Sequence, residues 1–349
     1  MLIRVLILSI WLALSACASS QQRPTSTADS RVDVQLVDDE AVAALAILET
    51  ELARRPVTEA QWNRLYSAEG YVRLRQRESY MKRDFTDADF KAFLESDTLI
   101  RRTEALRKTL SGIQRVDVSN AAAQALSYLP RNARIVAHLY PEIKPKTNSF
   151  VFSLDTIPGI FLYVDPLQSQ AEFQNTLTHE LHHIGLNSAC GTAHDSSLEE
   201  PLRTLVVRMG GFGEGLAMLA AAGSADRNAH YESDSATRNR WNRDVANHEA
   251  NLRLLERFFL DVVEGRVTSP DSVNTLAGTF YGEQGPWYTV GWKMAVVIEK
   301  TFGREKLIGV MCDPRALLKL YNDAVPAWNA KYGERLPLWS ERLIQELSR

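Results

Sequence analysis

Thr178-His179-Glu180-Leu181-His182-His183 is the stretch on which the fold of this chain turns. It holds the pattern H-E-x-x-H at His179, Glu180 and His183. Residues four apart on a helix share a face, so both imidazoles project together. Two neutral ring nitrogens at that spacing can bind one Zn2+, with Glu180 beside them as general base. His182 points away from that face, and a structural role is expected for it rather than ligation. The helix carrying the motif is read over 171–186, with Phe173, Leu177, Leu181 and Ile184 as its apolar stripe. At about 100° per residue, His179 lies about 200° round from Leu177. One side of the helix can therefore pack on a core while the histidines turn to a cleft.

Upstream the pattern is that of strands. Residues 135–140 read as one strand, and 150–154 and 160–164 as a hairpin around Thr156-Ile157-Pro158-Gly159. His138 lies in the first of these and reads as a satisfied sheet histidine. The strand over 160–164 is expected either to run along the cleft and pair with an extended peptide, or to have its edge covered. The expected fold class is α+β, predominantly helical. A small mixed sheet with a metal-bearing helix behind it is the usual zincin-like architecture.

A catalytic zinc needs three protein ligands and an open position for water. The longer zincin pattern requires Gly at 186 and His at 189, where this chain has Leu186 and Ala189. The other class takes a glutamate from a following helix. Glu214 is favoured, because Gly213, Gly215 and Ala217 would allow close approach to the metal helix and because Leu216, Leu219 and Ala220 make the stretch apolar. A carboxylate there is costly unless it is paired or metal-bound. Glu199 and Glu200, which also suit a polar helix start, stay open as alternatives. His194 and Asp195 are weaker candidates.

Elsewhere the chain reads as mostly helical. An apolar stripe of Val42, Leu45, Ala46, Leu48 and Leu52 starts after Asp38, and Thr58 caps a second helix carrying Trp62, Leu65 and Tyr66. Residues 87–110 read as one long helix, and a short one over 120–128 stops at Leu129-Pro130. After an exposed loop over 223–232, helices are expected over about 238–263, 289–302, 305–323 and 337–347. With 349 residues, 45% hydrophobic and 24% charged, the composition is that of a globular protein. The net charge of −3 gives no basic field for nucleic acid. The arginines and lysines between Arg73 and Arg102 are interleaved with acids and read as a solvated face.

The N-terminus reads as a targeting segment. Arg4 precedes an apolar run over 5–16, too short to span a bilayer, that ends Leu14-Ser15-Ala16-Cys17. This resembles a bacterial lipoprotein signal, which implies lipidation of Cys17 and a mature chain starting there. The alternatives are an ordinary cleaved signal peptide or an uncleaved anchor. Ala18 in place of Asp resembles outer-membrane sorting, so the expected location is the cell envelope, facing the periplasm. The expected layout is a signal over 1–16, a flexible tether over 17–31 and one domain over 32–349. Two cysteines remain, Cys190 and Cys312. An even remainder in an exported protein predicts one disulfide, the alternative being two buried thiols.

The set His179-Glu180-Leu181-His182-His183, Gly213-Glu214-Gly215-Leu216-Ala217, Tyr288-Thr289-Val290-Gly291 and Tyr321-Asn322 resembles a bacterial family described as zinc-dependent peptidases of the gluzincin type. Trp62-Asn63-Arg64-Leu65 and Tyr128-Leu129-Pro130 fit the same family, and the resemblance covers roughly 35–325. It implies one Zn2+ per chain held by His179, His183 and Glu214, a peptide or protein substrate, and Glu180 as general base. By resemblance to the Tyr or His that gluzincins place there, Tyr288 is the expected oxyanion donor, with Tyr281 second and plain core aromatics as the alternative. A non-catalytic zinc-binding envelope lipoprotein, or a zinc amidase acting on cell-wall material, remains the competing expectation.

Overall fold

The computed structural model describes residues 31–154, 157–191, 198–282 and 284–348. The signal, Cys17 and the tether up to residue 30 lie outside the described residues, as do His194 and Asp195.

The described chain opens with strand β1 (Val32–Leu36) and helix α1 (Asp39–Leu52). Six helices follow: α2 (Glu59–Ser67), α3 (Glu69–Tyr80), α4 (Asp87–Leu94), α5 (Asp97–Ile100), α6 (Thr103–Ile113) and α7 (Val118–Leu126). Thr58 caps α2 in a capping box with Gln61, as its sequence predicts. The helix expected over 87–110 is instead three. The stripe of Phe90, Leu94, Leu99 and Leu106 runs on unbroken because all three short helices bury it in the same core. The backbone breaks at Ser96, whose Oγ turns back to donate to Phe93 O at 2.7 Å. Helix α3 was not foreseen as a helix. Of its three arginines only Arg75 is exposed; Arg73 donates to Tyr140 Oη and Arg77 lies over the Phe150 ring, which corrects the solvated face expected there, while Tyr71 and Leu74 are buried.

Strands β2 (Ile135–Glu142), β3 (Phe150–Phe152) and β4 (Gly159–Tyr163) join β1 in a mixed sheet of order β1-β2-β4-β3. β1 and β4 both run parallel to β2, while β3 and β4 form the expected antiparallel hairpin, with Phe150 opposite Phe161. This order decides between the two expectations for strand 160–164. β4 is hydrogen-bonded on both sides, so its backbone has no edge to offer a substrate.

Helix α8 (Gln170–Cys190) follows the sheet, started by a capping box of Ser169 and Glu172. It lies close on the sheet because Gly185 leaves room there; a Cβ would strike Leu129 and Ile135. Then come α9 (Leu202–Met209), a 3-10 turn (Gly210–Phe212) and α10 (Gly213–Ala222). The C-terminal part adds α11 (Ser235–Ala246), α12 (His248–Val263), α13 (Pro270–Thr279), α14 (Pro286–Phe302), α15 (Arg304–Ile308), α16 (Pro314–Tyr332) and α17 (Glu341–Leu347). The helix expected over 238–263 is split at Asn247, and the one over 305–323 is α15 plus the start of α16.

The result is an α+β fold, predominantly helical, with a small mixed sheet. Its interior falls into two large apolar clusters. One joins α1, the sheet and the Leu177, Leu181 and Ile184 side of α8. The other joins α10, α12, α14 and α16 around the buried rings of Trp287 and Trp339. Leu186 packs against both, so α8 lies along their seam. Cys190, the last residue of α8, is disulfide-bonded to Cys312 just ahead of α16 and crosses the same seam.

Candidate metal centre

His179 and His183 leave one face of α8 as their four-residue spacing requires. Their rings stand nearly perpendicular, with centroids 4.7 Å apart. Glu214, in the first turn of α10, reaches both. Its Oε2 lies 3.2 Å from His179 Nε2 and 3.1 Å from His183 Nε2, and the two nitrogens are 3.0 Å apart. Ligand atoms at about 2.0–2.1 Å from a tetrahedral zinc would be separated by roughly 3.3 Å, so this triangle has close to the right edge. Two imidazole nitrogens and a carboxylate oxygen are also the donor set that zinc accepts. All three side chains are partly exposed, which leaves one side of the triangle facing outward.

The electrostatics fit the same assignment. Burial works to raise the Glu214 carboxyl, but His183 and His179 outweigh it and hold the group well below the usual carboxylate range. Burial likewise opposes charge on His183, and Glu214 overrides it, pushing the imidazole up to about 9. Glu214 and the two histidines thus stabilise opposite charge on one another, and a divalent ion on this donor set would meet deprotonated ligands. Glu180 is buried beside the cluster, and burial raises its carboxyl although both histidines pull it down. His182 faces the other way. It is fully buried, its Nε2 lies 3.4 Å from Tyr128 O, and burial lowers it to about 3.

Helix α14 supplies the tyrosine. The Tyr288 ring lies nearly parallel to that of His179 at 6.4 Å. Its hydroxyl is raised above the ordinary range by burial, by the charge of Glu214 and by a hydrogen bond to that carboxylate. Tyr281 is more exposed and feels the same Glu214 charge after burial. What brings Tyr288 so near is a pair of glycines. A Cβ on Gly215 would lie 2.6 Å from Gly291 Cα, and one on Gly291 would lie 2.7 Å from Phe212 O. α10 and α14 therefore touch backbone to backbone. The sequence had suggested that Gly215 eases α10 against the metal helix, but its neighbour is α14. Towards α8, Gly213 has only ordinary contact with Leu186.

The alternatives for third ligand are placed elsewhere in purpose. Glu200 accepts from Thr204 N and Oγ1 and from Arg203 at the start of α9, a helix-start role. Glu199 is exposed and is not part of the cluster. His138 is satisfied by Tyr140 and Glu69 at 3.0 and 3.2 Å.

One part of the site went unread in the sequence. The stretch over 223–232 looked like a plain exposed loop, yet Ala229 is buried and His230 sits edge-on to Trp241. Asn175, one turn before His179, donates to Ala229 O at 3.2 Å. His230 Nε2 meets Gln284 Nε2 at 2.7 Å, just ahead of α14. The loop thus straps α8 to the start of α14. No periodic pattern in Arg227-Asn228-Ala229-His230-Tyr231 signals this.

A family model described as "Putative zinc dependent peptidase (DUF5700)" matches residues 62–329. No curated protein and no solved structure gives a significant match. The matched stretch spans well over half of the 349 residues and takes in the whole triangle of His179, His183 and Glu214. The chain belongs to the family that this model describes.

Proposed function

We propose that this chain is a zinc metallopeptidase that cleaves peptide bonds in the bacterial cell envelope, tethered there by lipid on Cys17. The observation that carries the reading is the convergence of His179 Nε2, His183 Nε2 and Glu214 Oε2 within 3.2 Å, with Glu180 buried alongside. These three side chains would hold the ion. When bound, Zn2+ supplies a Lewis acid that brings the pKa of water down towards neutrality. Glu180 accepts the proton of the attacking water and later delivers it to the leaving amine. Its burial favours the neutral carboxylic acid at that second stage. Tyr288 donates its hydroxyl hydrogen to the oxyanion as the carbonyl becomes tetrahedral. A phenol carries that hydrogen at neutral pH, and the burial and Glu214 charge that push Tyr288 up reinforce this.

The location rests on the apolar run over 5–16 ahead of Cys17 and on the Cys190–Cys312 disulfide, which belongs to oxidising compartments. Mass spectrometry of the mature N-terminus tests it: a diacylglyceryl-modified Cys17 is expected, and an unmodified chain beginning elsewhere refutes the anchor.

The chemistry is tested on the purified chain by elemental analysis and peptide-library cleavage. One zinc per chain is expected in the wild type and in Glu180→Gln, with cleavage lowered by about 10²–10⁴-fold in the latter. Glu214→Ala should lose zinc. Zinc retained in Glu214→Ala would move the third ligand elsewhere. Zinc without cleavage of any peptide would favour a binding protein or an amidase of cell-wall material.

A further inference from the structure

Helix α8 packs on one face of the sheet, and a cavity lies on the other. Ile135 faces α8, where a Cβ on Gly185 would meet it. Tyr140, five residues further along β2, faces the opposite way, and its hydroxyl accepts from Arg73 of α3 at 2.8 Å. Phe161 and then Phe150 continue that second face, each ring stacked on the one before. Between Phe150, α3 and the loop that follows α3 is a cavity of about 210 Å3. No residue of the metal centre lines it.

Its walls combine apolar rings with a buried cation. Leu74, Phe85, Phe90 and Phe150 supply the apolar part. A cavity of about 150 Å3 with such walls already accepts a benzene ring. Lys144 lines the same space although only 2% of its surface is exposed. Its Nζ lies 5.3 Å from the centre of the Phe150 ring and donates to Lys146 O and Asn148 O at 2.6 and 2.5 Å. An ammonium has three hydrogens to donate, so one is left over. The acids around it are spent or neutral. Glu78 is buried and accepts from Arg77, Arg83 and Lys146. Asp89, at the exposed rim, accepts from Thr86 at 2.6 Å, and Asp84 is exposed. Burial raises the carboxyls of Glu40, to about 8, and of Glu142, well above the usual carboxylate range. Burial lowers Lys144 to about 8, which leaves it a cation at neutral pH. A buried ammonium with a free hydrogen is thus stabilised by an anion that brings its own apolar body into the cavity.

We propose that this cavity binds a small aromatic carboxylate, with its ring among Phe85, Phe90 and Phe150 and its carboxylate on the Lys144 ammonium. Titration calorimetry of the full chain at neutral pH tests it, with 3-phenylpropionate as the probe. A Kd on the order of 1 mM or tighter is expected. The amide of the same acid keeps the shape and loses the charge, and should bind more weakly by roughly tenfold or more. Lys144→Met should weaken the acid by a similar factor. No measurable binding of the acid, equal binding of acid and amide, or an affinity unmoved by Lys144→Met overturns the proposal. If Lys144→Met does not fold, the comparison of acid and amide on the wild type decides alone.

A carboxylate is also drawn to a bound zinc, so the titration is repeated on Glu214→Ala. The same affinity is expected there, because the cavity and the metal ligands lie on opposite faces of the sheet. Binding lost in Glu214→Ala would place the acid at the metal centre and overturn the proposal. The site therefore stands or falls independently of the peptidase reading. N-acetyl-glycyl-phenylalanine, with a free carboxylate, separates two sources of the same chemistry: binding as tight as that of 3-phenylpropionate makes the C-terminal residue of a peptide the ligand, and weaker binding makes it a free acid.

Discussion

Replacing Gly215 by alanine should damage the site without touching a ligand. An added Cβ would lie 2.6 Å from Gly291 Cα, and closer still to Trp292 N, where ordinary contact begins at 3.4 Å. Both neighbours are backbone, so neither can rotate away. α10 and α14 must part by at least about 0.8 Å, the difference between those two distances. Two effects oppose each other. Alanine gains about 1 kcal/mol over glycine inside a helix. Overpacking costs about 1–3 kcal/mol, and an unyielding backbone contact puts this case at the upper end. The steric effect wins by about 2 kcal/mol. For a chain of this size that is a fall of roughly 3 °C in Tm. Because Tyr288 and Glu214 ride on the two separated helices, a displacement approaching 1 Å should also lower kcat by about 10²-fold. Thermal melts and turnover on a cleaved peptide measure both. Gly112→Ala on α6 is the matched control, since a Cβ there meets nothing within 4 Å. It should raise Tm slightly and leave turnover alone. If Gly215→Ala behaves like Gly112→Ala in both assays, the backbone contact does not hold the site together.

Other outcomes follow from the same structure. Removing zinc with a chelator should lower stability by about 2.7 kcal/mol relative to protein held at a hundredfold excess over Kd; equal melts with and without chelator would show that the cluster binds no ion. Opening the disulfide, whose cysteines are 122 residues apart, should cost about 4–5 kcal/mol in the chain-entropy account, read as a lower urea midpoint for Cys190→Ser/Cys312→Ser. His248 is buried against Tyr321, and burial depresses it from 6.5 to about 3. The unfolded chain therefore binds a proton there that the folded chain refuses. Its contribution is complete above pH 6.5 and drains away as pH falls towards 3, by about 2 kcal/mol at pH 5. A melt series on His248→Gln should show a shallower acid slope over that window, and an unchanged slope would exonerate this histidine.

The sequence was most informative where a chemical motif and a helical period coincided. His179, Glu180 and His183 could be placed on one helix with its buried stripe because the spacing that binds metal is also the spacing of a helix face. Glu214 stood out because a carboxylate among Gly, Leu and Ala needs a partner. The pairing of Gly215 with Gly291 was not visible, because it depends on which two distant helices cross. β1 was missed although Val32-Asp33-Val34-Gln35-Leu36 alternates as a strand should. Its partner, β2, begins about a hundred residues later, and a five-residue strand has no identity until that pairing exists. The break at Ser96 was hidden by an apolar stripe that runs on through it, and the break at Asn247 by apolar residues on both sides, Trp241 and Val245 before it and Leu252 and Leu255 after it. The contacts of Ala229 and His230 with Asn175 and Gln284 were hidden for the opposite reason, because their stretch carries no periodic signal.

The seam along α8 has a consequence for when the chain can act. The first apolar cluster, and with it both histidines and Glu180, is built from residues up to Ile184. The carboxylate and the tyrosine arrive only with the second cluster, which needs residues as far on as Leu347. A chain cut short before α10 would carry the signature hexapeptide and still lack the means to close the triangle. The triangle of His179, His183 and Glu214 thus belongs to the completed molecule alone.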